Sequence, residues 1–245
     1  MLEGGNQVRM AFVLGLGTLF FAIGSLAGEP SYSPYADENF SRGLYWGDTH
    51  VHSSWSVDAG NMGNVQVGPD EAYRFARGEE VRAHNGMAVR LRRPLDFLVL
   101  TDHAEYLGVM PRLDAADALA RSTEVGERWY RLREQKDMAG LFAEFAASIL
   151  ARRDVLDNEP LRASVWREVI ANAERHNAPG LFTAFIGYEW TSSSDGNNLH
   201  RNVIFRDGAE KTGQLLPFSS LDSNDPEELW RALAHYEEKT GGRQR

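Results

Sequence analysis

Three apolar runs along the chain each give way abruptly to residues that carry charge or bind metals. Residues 44–46 (LYW) precede Gly47, Asp48, Thr49, His50, Val51 and His52; residues 97–100 (FLVL) precede Thr101, Asp102 and His103; residues 181–188 (LFTAFIGY) precede Glu189. A continuously apolar run such as 97–100 fits a strand buried on both faces, and such strands are usually parallel and covered by helices. Polar residues at the C-terminal ends of such strands stand where α/β sheets and barrels place their active sites. After a turn at Asp195, Gly196, Asn197 and Asn198, residues 199–206 (LHRNVIFR) read as a returning strand, so that Glu189 and His200 face one space from neighbouring strands.

The remaining pattern is mostly helical. Residues 69–78 open with Pro69, Asp70 and Glu71 and close with Arg77 and Gly78, the polarity of a short helix. Residues 81–91 form a predicted hairpin around Asn85-Gly86. Residues 113–176 carry a helical insertion, read as a cap or lid, with breaks near Gly126, Gly140 and residues 157–160. One apolar stripe there is Leu141, Phe142, Phe145, Ile149 and Leu150; another is Leu161, Val165, Trp166, Val169 and Ile170. Both read as core packing. A last helix opens at Pro226 and runs through Leu229, Trp230, Leu233 and Tyr236 to Gly241. His84, His176 and His235 read as a turn, a helix-end and a solvated histidine, not as ligands.

Composition narrows the chemistry. The 245 residues are 42% hydrophobic and 25% charged, enough for one sizeable domain, with a net charge of −9 that argues against nucleic acid as a partner. Residues 10–27 are apolar and uncharged, follow Arg9, and end with Ser25 and Ala27 placed like a signal-peptidase site. Residues 1–27 therefore read as a signal peptide, 28–43 as an exposed lead-in and 44–245 as the domain, which implies a periplasmic or secreted protein. An uncleaved signal is the one route to a membrane. With no cysteine, disulfides and thiolate sites are excluded, and His, Asp and Glu remain as the strong ligands.

Within GDTHVH (residues 47–52), strand alternation would project Asp48, His50 and His52 from one face. Two imidazoles and a carboxylate converging in this way suit Zn, Mn or Fe. The same residues also suit a turn held by histidine hydrogen bonds, and the motif alone leaves both readings open.

GDTHVHSSWSVDA (47–59), PLDFLVLTDHAEYLG (94–108) and GYEWTSSSDGNNLHRNVIF (187–205), taken in order, resemble the PHP superfamily of polymerase and histidinol phosphatase domains. More narrowly, they resemble a secreted bacterial family described as a domain of unknown function. The resemblance implies a distorted β/α barrel with two or three divalent ions at the strand ends. His50, His52, Asp58, His103, Glu189 and His200 fall on ligand positions, with Glu189 bridging. Asp48 and Asp102 would stand close by, and Glu105 and Asn202 are weaker candidates. Further ligands of such domains lie downstream, where this sequence stops. A barrel incomplete at its C-terminus is therefore expected, of low stability and weak or absent activity by itself.

The function implied is a metal-dependent hydrolase that activates water on a small phosphoester with a di- or trinuclear centre of Zn, Mn or Fe. Asp58 or Asp102 would take the proton and Arg201 would position an anionic group. Two alternatives remain: an amidohydrolase-type enzyme acting on C–N or C–O bonds, and a secreted metal-binding domain without turnover.

Overall fold

The computed structural model describes residues 43–61, 63–194 and 197–244. The expected signal peptide and the lead-in through residue 42 lie outside the described residues. No helix among the described residues is long and apolar enough to cross a membrane.

The strands are β1 (Gly47–Asp48), β2 (Val81–Arg82), β3 (Ala88–Val89), β4 (Phe97–Val99), β5 (Thr183–Ser192) and β6 (Leu199–Phe205). The helices are α1 (Val57–Asn61), α2 (Pro69–Ala76), α3 (Val109–Asp114), α4 (Glu124–Glu134), α5 (Met138–Leu150), α6 (Glu159–His176), α7 (Ala209–Thr212) and α8 (Pro226–Thr240). β2 and β3 make the expected hairpin, with Gly86 at φ +83° in its turn. The other four strands form a mixed sheet, order β1-β4-β5-β6, that curls into a half-barrel with helices against it. β4 has parallel neighbours on both sides, while β5 and β6 are antiparallel with Glu189 opposite Asn202 and Thr191 opposite His200.

Alternation along β5 divides its roles. Ala184, Ile186, Tyr188 and Trp190 are buried in the core with Val165, Trp166, Val169 and Ile170 of α6. Trp166 lies 6.0 Å from the rings of both Tyr188 and Phe205. Residues 183, 185, 187, 189 and 191 take the other face. Gly187 is required there, since a Cβ would come within 2.5 Å of Val99 Cγ2 and 2.8 Å of the Val203 carbonyl. α6 is thus a layer of the fold rather than a cap over it, because its apolar stripe is wide enough to cover the sheet.

The breaks expected near Gly126 and Gly140 are present, between α3 and α4 and between α4 and α5, just before each glycine. Each lies in a first turn and donates its N–H to the capping side chain, Thr123 and Asp137 respectively, so the breaks fall before these caps. The α5 stripe also divides: Leu141 is buried, whereas Phe142 and Leu150, off its axis, are 55% and 82% exposed. The run 44–46 is exposed as well, and β1 begins only at Gly47. His176 is buried, stacks on Tyr73 and sits 2.9 Å from Asp70 Oδ1, tying α6 to α2.

Candidate metal centre

The three chain segments are locked together by backbone bonds that continue the sheet past its regular strands. Thr101 N–H donates to the Val51 carbonyl, Glu189 N–H to that of Asp102, and Ala104 N–H to that of Glu189. Between them, the buried Asp102 accepts both the N–H and, at 2.7 Å, the hydroxyl of Ser53. Burial pushes the Asp102 carboxyl up, and although Ser53 lowers it the net value is about 6. The His50–His52 segment is therefore fixed onto the end of β4.

His50, His52, His103 and His200 converge on Glu189. His50 Nε2 is 2.9 Å from Oε1, while His52 Nε2, His103 Nδ1 and His200 Nδ1 are 3.4, 2.9 and 3.3 Å from Oε2. Glu189 is fully buried, yet neither of its oxygens is aligned for a hydrogen bond, and His52 Nε2 is likewise buried without one. Asp58 joins from α1, with both oxygens 3.0 Å from His52 Nδ1 and Oδ2 3.7 Å from His103 Nε2. Two hydroxyls complete the arrangement. Ser56 Oγ lies 2.6 Å from Asp58 Oδ1 and accepts the His103 N–H, and Thr191 Oγ1 is 2.8 and 3.1 Å from Nδ1 of His103 and His200.

The charges are strongly coupled. Burial opposes protonation of His52 and His103, but Asp58 and Glu189 outweigh it and raise them to about 9 and 10. Burial would raise the Asp58 and Glu189 carboxyls, and the facing imidazoles instead hold both well below the usual carboxylate range.

These donors fit a divalent ion. Bonds of about 2.0–2.2 Å at tetrahedral to octahedral angles place neighbouring N and O ligands about 2.9–3.5 Å apart, the range in which the Glu189 oxygens and the four imidazoles lie. Three sets of donors lie within 4.8 Å of one another: His50, His52 and Glu189; His52, Asp58 and His103; His103, Glu189 and His200. An all-N/O set of this kind suits Zn, Mn or Fe.

Other candidates stand elsewhere. β1 ends at Asp48, which is exposed, accepts the His50 N–H and belongs to none of the three donor sets. Arg201 pairs with Trp190 and hence projects from the face of β6 opposite Glu189 and His200, where it donates to the His200 carbonyl. Glu105 is buried, its Oε1 held by Ser220 and its Oε2 3.9 Å from His103 Nδ1. Asn202 Nδ2 donates to the Thr49 carbonyl. Ser56 and Thr191 were not among the residues the sequence suggested, although Thr191, two past Glu189 on a strand, was findable by alternation.

A family model described as "Protein of unknown function (DUF3604)" matches residues 39–244. No curated protein and no solved structure matches the chain. With most of its length covered by that model, the chain belongs to the DUF3604 family.

Proposed function

We propose that the chain is a metal-dependent hydrolase of the PHP type, acting on small phosphoesters and exported to the periplasm or beyond. The observation that carries this reading is Glu189, a fully buried carboxylate with no hydrogen bond to either oxygen and four imidazole nitrogens at 2.9–3.4 Å. A buried carboxylate without aligned hydrogen bonds is costly; without metal the protonated imidazoles offset its charge, and a bound cation would take their place.

His50, His52, His103, His200 and Glu189 would hold the ions. Divalent ions held there supply Lewis-acid activation of water and stabilisation of charge on a phosphoryl oxygen. Without metal, Thr191 contacts Nδ1 of His103 and His200, and Ser56 orients Asp58. His50 is 54% exposed at its side chain, which leaves the cluster open to a substrate on that side. Of the residues suggested for proton and substrate handling, Asp58 stays at the cluster, 3.0 Å from His52 Nδ1, with its own side chain 37% exposed. Asp102 is committed to Ser53 and Arg201 faces away, so neither has that role in this scheme.

The test is elemental analysis of the purified protein together with phosphomonoester, phosphodiester and amide substrates, for wild type and Glu189→Gln. Bound metal with ester turnover that is lost in the variant supports the reading. Metal without turnover on any ester indicates the non-catalytic binding domain, and turnover confined to amides indicates the amidohydrolase chemistry. A wild-type chain that binds no metal excludes all three.

A further inference from the structure

We infer that Asp58 is a positioning residue that accepts the Nδ1 proton of His52, not a metal ligand, and that the ions occupy only the two outer donor sets sharing Glu189. This rests on the metal-dependent reading above and departs from the ligand role that the sequence resemblance implies for Asp58.

The three donor sets overlap in an informative way. His52 belongs to two of them through different nitrogens: Nε2 faces Glu189 Oε2 at 3.4 Å, and Nδ1 faces both Asp58 oxygens at 3.0 Å. A neutral imidazole has one lone pair and one N–H, so it cannot ligate in both sets at once. His103 stands in the same position on the other side, with Nε2 3.7 Å from Asp58 and Nδ1 2.9 Å from Glu189. The middle set, His52 with Asp58 and His103, therefore competes with both outer sets.

The two carboxylates decide the competition. Asp58 Oδ1 accepts the Ser56 hydroxyl and the Ala59 N–H, both at 2.6 Å, and His52 Nδ1 is within reach of both oxygens. The protein itself supplies this carboxylate with donors. Glu189 has none on either oxygen, and His52 Nε2, buried beside it, also lacks a partner. An ion held by His50, His52 and Glu189 relieves three buried atoms that lack hydrogen bonds, whereas an ion at the Asp58 side displaces hydrogen bonds already made. His52 thus carries its proton on Nδ1 toward Asp58 and turns Nε2 to the ion, the carboxylate–histidine–metal arrangement that fixes ring and tautomer.

Zinc titration of metal-free wild type and Asp58→Asn, with bound zinc counted after desalting, tests this. Asparagine keeps the shape and one acceptor for His52 Nδ1–H. The expected result is the same number of zinc ions in both proteins, no more than two per chain, with affinity in the variant reduced about 10- to 100-fold. Three ions in wild type, or one fewer in Asp58→Asn, overturns the role given to Asp58. Proton–nitrogen NMR of the imidazoles in zinc-loaded wild type decides the matter even if the variant does not fold: His52 protonated on Nδ1 supports the assignment, and protonation on Nε2 overturns it. A wild type that takes up no zinc removes the metal reading itself, an outcome separate from a changed count.

Discussion

Asp102 grips Ser53 with both carboxylate oxygens, one on the backbone N–H and the other on the hydroxyl at 2.7 Å. This joint fastens the segment carrying His50 and His52 to the strand end carrying His103, yet it contains none of the donors around Glu189. Asp102→Ala should therefore cost stability and metal affinity together. Leaving the buried Ser53 donors unpaired is worth about 1–3 kcal/mol. Urea denaturation beside zinc titration checks this; a variant that keeps wild-type affinity would show that the joint does not set the site.

Metal should stabilise the fold in proportion to its occupancy. Ligands that come together only in the folded chain add about 2.7 kcal/mol when free zinc stands at a hundred times Kd. Chelation should lower the thermal midpoint, and Glu189→Gln should make that midpoint insensitive to zinc. The direction with pH follows from the imidazoles. His52 and His103, raised to about 9 and 10 without metal, are protonated at neutral pH and must each release a proton to bind. Affinity should rise with pH across the neutral range, with proton release visible by calorimetry in two buffers of different ionisation heat.

Much of this arrangement was legible in the chain. The apolar run 97–100 identified a doubly covered parallel strand, and the polar residues after each run identified the end of the sheet at which His50, His52, His103, Glu189 and His200 meet. What was not legible depends on where regular structure stops. Asp48 is read onto the face of His50 and His52 only if the strand continues, and it ends at Asp48. Arg201 looks adjacent to the site in sequence, but alternation sends it to the other face. The breaks near Gly126 and Gly140 were legible, but not the part each glycine plays, which is to donate its N–H to a capping side chain from the third helical position. The serines that hold Asp58 and Asp102 are common residues in a polar stretch, and only their long-range partners distinguish them.

Away from the site, Asp70 links α2 to α6 and predicts an acid limb of stability. Its hydrogen bond to His176 holds the carboxyl below its ordinary value of 3.8, with Arg175 adding to the effect against a small burial penalty. A group depressed in the folded state contributes stability that is complete above its unfolded pKa and lost as pH falls through the folded one. Asp70→Asn should be less stable than wild type at pH 7, with the difference shrinking as pH falls below 3.8. Urea midpoints at neutral and acid pH measure it, and a pH-independent difference would assign the loss to shape rather than charge.

Thr191 gives the sharpest separation of site from scaffold. Its hydroxyl reaches Nδ1 of both His103 and His200, while its side chain lies on the β5 face opposite the α6 core. Thr191→Val keeps the volume and the strand preference but removes that contact from both rings. Stability should change by less than about 1 kcal/mol, since no core packing is lost. Those Nδ1 atoms are also the ones that face Glu189, so the hydroxyl competes with an ion for them, and zinc affinity in Thr191→Val should hold or rise. Thr191→Ser, which restores the hydroxyl without the methyl, should match wild type; an affinity lost in valine and recovered in serine would show instead that the hydroxyl supports the ligating rings.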